Sequence, residues 1–129
     1  MAAYPHHARE LAAYDRAMTQ RNRLLQTRAN EPVWLSGLEA AMARHGASVT
    51  AARNETVRQI NLYAQQDMDA FPAVQIKLLC AIADKLEQHP ALHVEDWLKE
   101  QLATSRMMDR EKGRTSLGVH KSDFALTDL

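Results

Sequence analysis

The longest regular pattern in the sequence runs from Asn30 to about Phe71 and predicts one long amphipathic helix. Apolar residues recur there mostly at three- and four-residue steps, the spacing that places them on one face of a helix. Asn30 suits the N-cap, and Pro32 suits the first helical position, where a missing backbone N–H costs nothing. The pattern stops before Pro72, because the residue preceding a proline is driven out of the helical region. The predicted apolar stripe comprises Leu35, Leu38, Met42, Val49, Ala52, Val57, Ile60, Ala64 and Met68.

A helix of this length cannot bury its stripe alone, and the segment before it supplies a partner. His6 to about Thr27 has its own apolar line and predicts a first helix. The link from Arg28 to Asn30 is short, so we expect the first helix to fold back antiparallel on the long one. The charged residues of the long helix, Glu39 among them, are expected mostly away from the stripe.

The segment after Pro72 is mixed in character. The alternation from Val74 to Leu78 favours a strand, whereas Leu79 to Leu86 fits a helix equally well, and periodicity alone does not decide. A further helix is predicted from about His93 to Asp109, with a stop at Gly113. Its inner side is expected to comprise Val94, Trp97, Leu98, Leu102 and Met108.

The last residues predict a strand, because Asp123 to Thr127 alternates polar and apolar side chains. No strand follows it before the chain ends at Leu129, and a lone strand is marginal unless it joins a sheet. We therefore expect a mainly α fold that becomes α+β at its C-terminal end. We expect the terminal strand to lack a partner within this chain.

Composition excludes several classes of protein. The 129 residues carry 16 basic and 16 acidic side chains, so no overall charge attracts nucleic acid or membrane. No apolar run approaches the roughly 20 residues of a membrane span. The single Cys80 excludes an intrachain disulfide and is best explained as a buried, inert thiol. We expect a soluble, cytoplasmic protein.

Motifs for self-sufficient catalysis are absent from the sequence. The four glycines are too scattered for a phosphate-binding loop, and no GxSxG, HExxH or paired-cysteine pattern occurs. His6, His7 and Glu10 could share a helix face as metal ligands, but a closed site needs more ligands, and a solvated helix start is the simpler interpretation. We predict no catalytic and no metal-binding residue in this chain.

Arginines are concentrated in the first helix and suggest a nucleic-acid contact. Arg9, Arg16 and Arg23 recur every seven residues, with Arg21 placed alongside them. Guanidinium groups in such a row can bind phosphates through paired hydrogen bonds. The alternative is a solvated face that pairs with acidic residues of the neighbouring helix.

Two stretches together resemble the RecF family of bacterial recombination and replication-repair proteins, which are SMC-like ATPases. The first runs from Tyr14 to Leu25 and contains Arg21-Asn22; the second runs from Gly113 to Asp123. Their order and separation match the middle region of that family. The positions that carry the resemblance are Arg21, Asn22, Arg114, Thr115, Gly118, His120, Lys121 and Asp123.

The resemblance implies that residues 1–112 are a helical arm inserted between two halves of an ATPase head, and that residues 113–129 are an edge strand segment of that head. The intact protein would bind ATP and Mg, form an ATP-dependent homodimer, and bind single-stranded and linear double-stranded DNA. It would work with recombination mediator proteins and support SOS induction. The fragment itself, which lacks the phosphate loop, is not expected to bind or hydrolyse ATP.

One departure from the family pattern concerns the second stretch. The family usually has Gly-Pro-His-Arg where this chain has Gly118-Val119-His120-Lys121. Lysine cannot reproduce the forked donors of arginine, so a contact made by that arginine does not transfer to Lys121. His120, Lys121 and Asp123 also fit an ordinary charged turn. The rival hypothesis is a free-standing helical adaptor that binds another protein without nucleotide or DNA.

Overall fold

Two long antiparallel helices form the body of the computed structural model. Helix α1 spans Ala3–Gln26 and helix α2 spans Pro32–Gln66. Their direction follows from their cross-contacts: Glu10 of α1 contacts His45 of α2, whereas Arg21, further along α1, contacts Glu39, which comes earlier in α2. The predicted helical hairpin and the start of the long helix at Pro32 are confirmed.

The structure describes residues 3–27, 31–66, 74–79, 81–118 and 123–128, with side chains described over 6–27, 31–63 and 81–118. Several expectations from the sequence lie outside these residues. They are the N-cap at Asn30, the link that contains Arg28, the end of the long helix near Phe71, the thiol of Cys80, and the turn residues His120 and Lys121.

The core lies where α1 and the two helices α3 (Ala81–Gln88) and α4 (Ala91–Thr104) pack on α2. Most of the α2 stripe from Leu35 to Val57 is buried or half-buried, but Ala52, predicted to belong to it, is exposed. Ile60, further along the helix, is 45% exposed. Antiparallel pairing explains the change, because α1 begins opposite the middle of α2 and cannot cover the last turns of the longer helix. The buried cluster comprises Tyr14, Ala17, Met42, Ala43, Val49, Val57, Ile82, Ala83, Val94, Leu98 and Leu102.

The stretch that periodicity leaves open contains both a strand and a helix. Strand β1 spans Val74–Leu79, and helix α3 follows it. Ile82 and Ala83 of α3 are buried in the core. The mainly helical fold class is confirmed.

The terminal strand has a partner within the chain. Strand β2 spans Asp123–Asp128 and pairs antiparallel with β1, from Val74 opposite Asp128 to Leu79 opposite Asp123. The expectation that this strand lacks a partner in the chain is therefore wrong. The pairing joins segments about fifty residues apart, and hydrophobic alternation within a strand says nothing about such a distant partner.

The helix predicted from His93 to Asp109 is in fact two helices. Helix α4 ends at Thr104 and helix α5, Arg106–Lys112, follows a turn at Ser105. Asp109 is buried, whereas Met108, predicted to lie inside, is 53% exposed. The reason is helical spacing: Asp109 follows the buried Leu102 by seven residues, two turns, and Met108 lies off that face. Gly113 ends α5 in the left-handed region at φ 71°, as its position predicts.

The longest helices are too polar to cross a membrane. Within the described ranges, none is both long enough and apolar enough to form a span.

Candidate functional site

A buried arginine on α1 is the centre of the most extensive polar site among the described residues. The Arg21 side chain is fully buried, and each of its five N–H donors has an acceptor. Nε donates to Glu39 Oε2 at 3.0 Å, and Nη1 donates to Asp109 Oδ2 at 2.8 Å and Thr115 Oγ1 at 2.9 Å. Nη2 donates to the Leu102 carbonyl at 2.8 Å and to Ser105 Oγ at 3.5 Å. We call these residues, with Arg106, the arginine network.

Charge is balanced within the arginine network. Glu39, itself fully buried, also accepts from Arg106 Nε at 2.9 Å, so two guanidinium groups face the carboxylates of Glu39 and Asp109. Arg106 reaches Ser36 Oγ at 3.3 Å, which fixes the start of α5 against the start of α2. Hydrogen bonds to the pairing partner Glu39 raise the pKa of Arg106 despite its partial burial. A buried pair is tolerated only when its remaining donors and acceptors are satisfied, as they are here.

Asp109 accepts four hydrogen bonds in and around the network, as many as Glu39. Burial acts to raise the pKa of Asp109, but hydrogen bonds from Ser116, Arg21 and Ser105 outweigh it and hold that pKa below its ordinary value. Oδ1 accepts from the Ser116 backbone N–H at 3.2 Å and from Ser116 Oγ at 2.7 Å. Asp109 therefore stays charged at neutral pH and ties the loop after α5 to the helices.

The structure brings together the two stretches that carry the family resemblance. Thr115 Oγ1 donates to Asn22 Oδ1 at 2.6 Å and accepts from Arg21. Gln26 Nε2 donates to the Gly113 carbonyl at 2.9 Å, and Arg110 Nε donates to the Leu25 carbonyl at 3.1 Å. The loop that leads to β2 is thus fastened along the last two turns of α1.

The expected DNA contact at Arg21 is wrong. Arg21 follows Arg16 by five residues, a rotation of roughly 140° around the helix, so it faces the core and not the row of arginines. Its complete burial and five satisfied donors leave nothing for a phosphate. Arg9, Arg16 and Arg23 remain exposed on the other face of α1.

The other positions of the second stretch are divided between interior and surface. Thr115 and Gly118 are buried, Gly118 with φ 148°, and Arg114 is exposed. The backbone of Asp123 begins β2 opposite Leu79. His120 and Lys121 lie outside the described residues, so the expectations for them stay predictions.

A smaller polar cluster joins the middle of the helical hairpin. His45 Nδ1 lies 2.6 Å from Glu10 Oε2, and Arg44 Nη2 lies 3.3 Å from His45 Nε2. The hydrogen bond with His45 is the main reason that the pKa of Glu10 lies below its ordinary value. His6 Nε2 lies 3.8 Å from the same carboxylate. Within the part of the chain that the structure describes, no three potential ligands converge on a metal position.

Sequence reasoning misses both acidic partners of Arg21. Glu39 is expected away from the apolar stripe, yet it is fully buried. It follows Leu35 by four residues and precedes Met42 by three, so it shares their helix face. A charged residue on an apolar face is the signal that identifies Glu39. Asp109 carries the same signal, because it follows Leu102 by seven residues, two helical turns, and so shares the apolar face of its predicted helix.

No protein-family model matches the chain, but curated proteins and solved structures do. It is 34% identical over 126 residues to the "DNA replication and repair protein RecF" of Mesorhizobium japonicum, across 96% of this chain and 33% of that protein. It is 34% identical over 124 residues to the RecF protein of Rhizobium meliloti, across 95% of this chain and 33% of that protein.

The fold has a close match among solved structures. A structure described as the recombination mediator protein RecF with ATPrS, in the RecFOR pathway, aligns with a TM-score of 0.80 at 20% identity. The alignment covers 95% of this chain and 34% of that one. A second RecF structure, described with ATP, gives the same TM-score. The chain thus spans about one third of the length of the proteins it matches.

Proposed function

We propose that this chain, which belongs to the RecF family, is the helical arm of a DNA replication and repair protein, together with the strand that enters its ATPase head. The observation that carries the proposal is 34% identity to a RecF protein over 96% of this chain, together with the helical hairpin. The chain covers only about a third of that relative. The activities of the whole protein are therefore part of this proposal.

The division into arm and head segment follows the sequence expectation with one adjustment. The family resemblance assigns residues 1–112 to the arm and residues 113–129 to the head. Thr115 and Ser116 bond to the arginine network, which favours extending the arm to Gly118. Strand β2 is then the head segment. It pairs with β1, and the two-stranded sheet that results has edges to which strands of the head can add.

For the intact protein we propose ATP and Mg bound between two heads, so that dimerisation, DNA binding and hydrolysis are linked. A neighbouring structure described as RecF with ATP supports the nucleotide. We further propose action in the cytoplasm with recombination mediator proteins at junctions of single-stranded and double-stranded DNA, and a role in SOS induction. The RecFOR pathway named for that neighbour supports the mediator partners.

The contribution of the arm to DNA binding is proposed to come from Arg9, Arg16 and Arg23. All three are exposed on α1, and no carboxylate among the described residues lies within ion-pair distance of them. Such a row binds the DNA backbone through charge and reads no base sequence.

The test measures the affinity of the chain for a labelled duplex by fluorescence anisotropy over a series of salt concentrations. The triple variant Arg9→Gln, Arg16→Gln, Arg23→Gln should bind the duplex more weakly. The slope of log affinity against log salt concentration should become less steep by about 0.9 for each phosphate that the variant no longer neutralises. Lys99→Gln, at an exposed cation on α4, is the control and should leave affinity unchanged. An unaltered affinity in the triple variant would exclude this surface.

The rival adaptor hypothesis retains one supporting observation. Val33 and Trp34 at the start of α2 are 86% and 55% exposed. Exposed apolar side chains of this kind often form a binding surface for another protein. Sequencing the flanking genomic DNA separates the two hypotheses. A reading frame that continues upstream into a phosphate loop and downstream into an ATPase signature supports the RecF arm.

A further inference from the structure

Charge is distributed unevenly over the surface, although the whole chain is neutral. Helices α3 and α4 carry five carboxylates, Asp84, Glu87, Glu95, Asp96 and Glu100, against two lysines. The opposite imbalance occurs where the end of α1 meets the end of α5. A polyanion is repelled from the first surface and attracted to the second.

Contacts in the structure bring four cations to this second place. Arg110 donates to the Leu25 carbonyl at the end of α1, and Gln26 donates to the Gly113 carbonyl. Lys112 and Arg114 flank Gly113, and Arg23 precedes Gln26 by three residues, which makes them neighbours on one face of α1. We call Arg23, Arg110, Lys112 and Arg114 the basic patch.

The basic patch has little acidic compensation. Glu111 is the one carboxylate among residues 110–114, and Asp109 beside it is buried and engaged by Arg21. Arg23, Lys112 and Arg114 are exposed, and within the described ranges none has a carboxylate at ion-pair distance. Arg110 is half-buried, with its Nε occupied by the Leu25 carbonyl, which leaves its terminal nitrogens for a ligand.

We propose that the basic patch binds the phosphate backbone of DNA and is the strongest DNA contact of this chain. The inference rests on the proposed DNA-binding function and locates it at the base of the hairpin. Arg16 precedes Arg23 by seven residues, about 10 Å along α1, so the arginine row continues the patch as a second, weaker contact. Four cations on three segments joined by hydrogen bonds form a more preorganised site than a row on one helix.

A simpler role for these cations is to stabilise helix ends, since positive charge is favoured at the C-terminus of a helix. That role predicts a loss of stability on neutralisation and no change in DNA affinity. The two roles are separated by measuring both quantities on the same variants.

The test uses the full 129-residue chain and two double variants that each remove two exposed cations. Lys112→Gln with Arg114→Gln removes half of the patch, and Arg9→Gln with Arg16→Gln removes the row outside it. Binding of a labelled duplex of about two helical turns is measured by anisotropy from low to moderate salt. The Lys112 and Arg114 variant should bind the duplex roughly tenfold more weakly, and the slope of log affinity against log salt concentration should become less steep by about 1.8. The Arg9 and Arg16 variant should show a smaller loss of affinity. Both should melt at the temperature of the unsubstituted chain.

Three results would overturn the proposal for the basic patch, and they differ in whether they also contradict the proposed DNA binding by the arm. If only the Arg9 and Arg16 variant loses affinity, the patch is excluded while DNA binding by the arm stands. If the unsubstituted chain binds no duplex at low salt, both proposals fail. If inorganic phosphate displaces the duplex at an equal phosphate concentration, the patch is a site for small anions and not for a DNA backbone.

Discussion

At the scale of single residues, Arg21 shows how a charged side chain can serve as a core residue. Its donors are satisfied by groups on α2, α4, α5 and the loop before β2, so one side chain fixes four segments relative to α1. Apolar packing cannot specify relative positions in this way, because it lacks direction. The family-like pair Arg21-Asn22 is thus explained by architecture and not by ligand binding.

Substitution of Arg21 should be among the most destabilising changes in the chain. Arg21→Met keeps the length of the side chain but leaves Asp109 buried without its cation, at a cost of about 3–5 kcal/mol in the free energy of unfolding. Arg21→Lys keeps the charge with three donors instead of five, so it should recover part of that loss. Urea denaturation measures both.

The matched control for Arg21 is Arg16→Lys on the exposed face of α1, which should change stability by less than about 0.5 kcal/mol. If Arg21→Met were as mild as this control, the arginine network would not be what holds the loop to the helices.

Stability should fall in acid because two carboxylates have lowered pKa values. The pKa of Glu10 is lowered by His45, and that of Asp109 lies below its ordinary 3.8 because its hydrogen bonds outweigh the effect of burial. A lowered folded-state pKa contributes stability that is complete above the unfolded pKa and is lost as pH falls through the folded value. We expect the free energy of unfolding to decline below about pH 4.5.

The contribution of Glu10 to this decline can be isolated. Glu10→Gln removes its titration, so the acid limb of stability should become shallower, while some loss at neutral pH reflects the weakened bond to His45. Chemical denaturation from acidic to neutral pH supplies the curves. Acid limbs of equal slope in both proteins would show that the Glu10–His45 contact is not maintained in solution.

At the scale of elements, α4 and α5 present one buried face across the turn at Ser105. Asp109 follows the buried Leu102 by seven residues, two helical turns, so it faces Arg21 from the side on which Leu102 faces the core. Met107 and Met108 lie off that face and are 79% and 53% exposed, because apolar character alone does not place a residue on the buried side of a helix. Ser105 itself bonds to Asp109 Oδ2 at 2.9 Å, so the residue that ends α4 also supports the network.

At the scale of the whole molecule, the bonds of Thr115 and Ser116 to the arginine network support our proposal that the loop after α5 belongs to the arm. A chain cut after Lys112 loses Thr115 and Ser116, which leaves donors and acceptors of the network without partners. A chain cut after Gly118 keeps them and loses residues 119–129, which include β2. The cut at Lys112 should therefore cost roughly 2–3 kcal/mol more in the free energy of unfolding than the cut at Gly118.

Thermal melting of the two truncated chains beside the full chain measures this difference. The full chain serves as the reference for the contribution of β2. Equal melting temperatures for the two truncated chains would place the boundary of the arm at Lys112, as the sequence alone predicts.

The sequence by itself determined the features that depend on residues a few positions apart. The amphipathic hairpin, the start of α2 at Pro32 and the stop of α5 at Gly113 follow from helical spacing and terminal preferences. Two stretches of the sequence indicated the family, but the sequence did not show what those stretches do physically.

Only the tertiary structure decided what those stretches do. The partners of Arg21 lie 18, 81, 88 and 94 residues away, and β1 pairs with a strand about fifty residues later. The same packing turned Arg21 inward and brought Lys112 and Arg114 to the end of α1. The physical reason is that periodicity fixes the face of a helix, whereas which buried charge meets which depends on how separate elements pack.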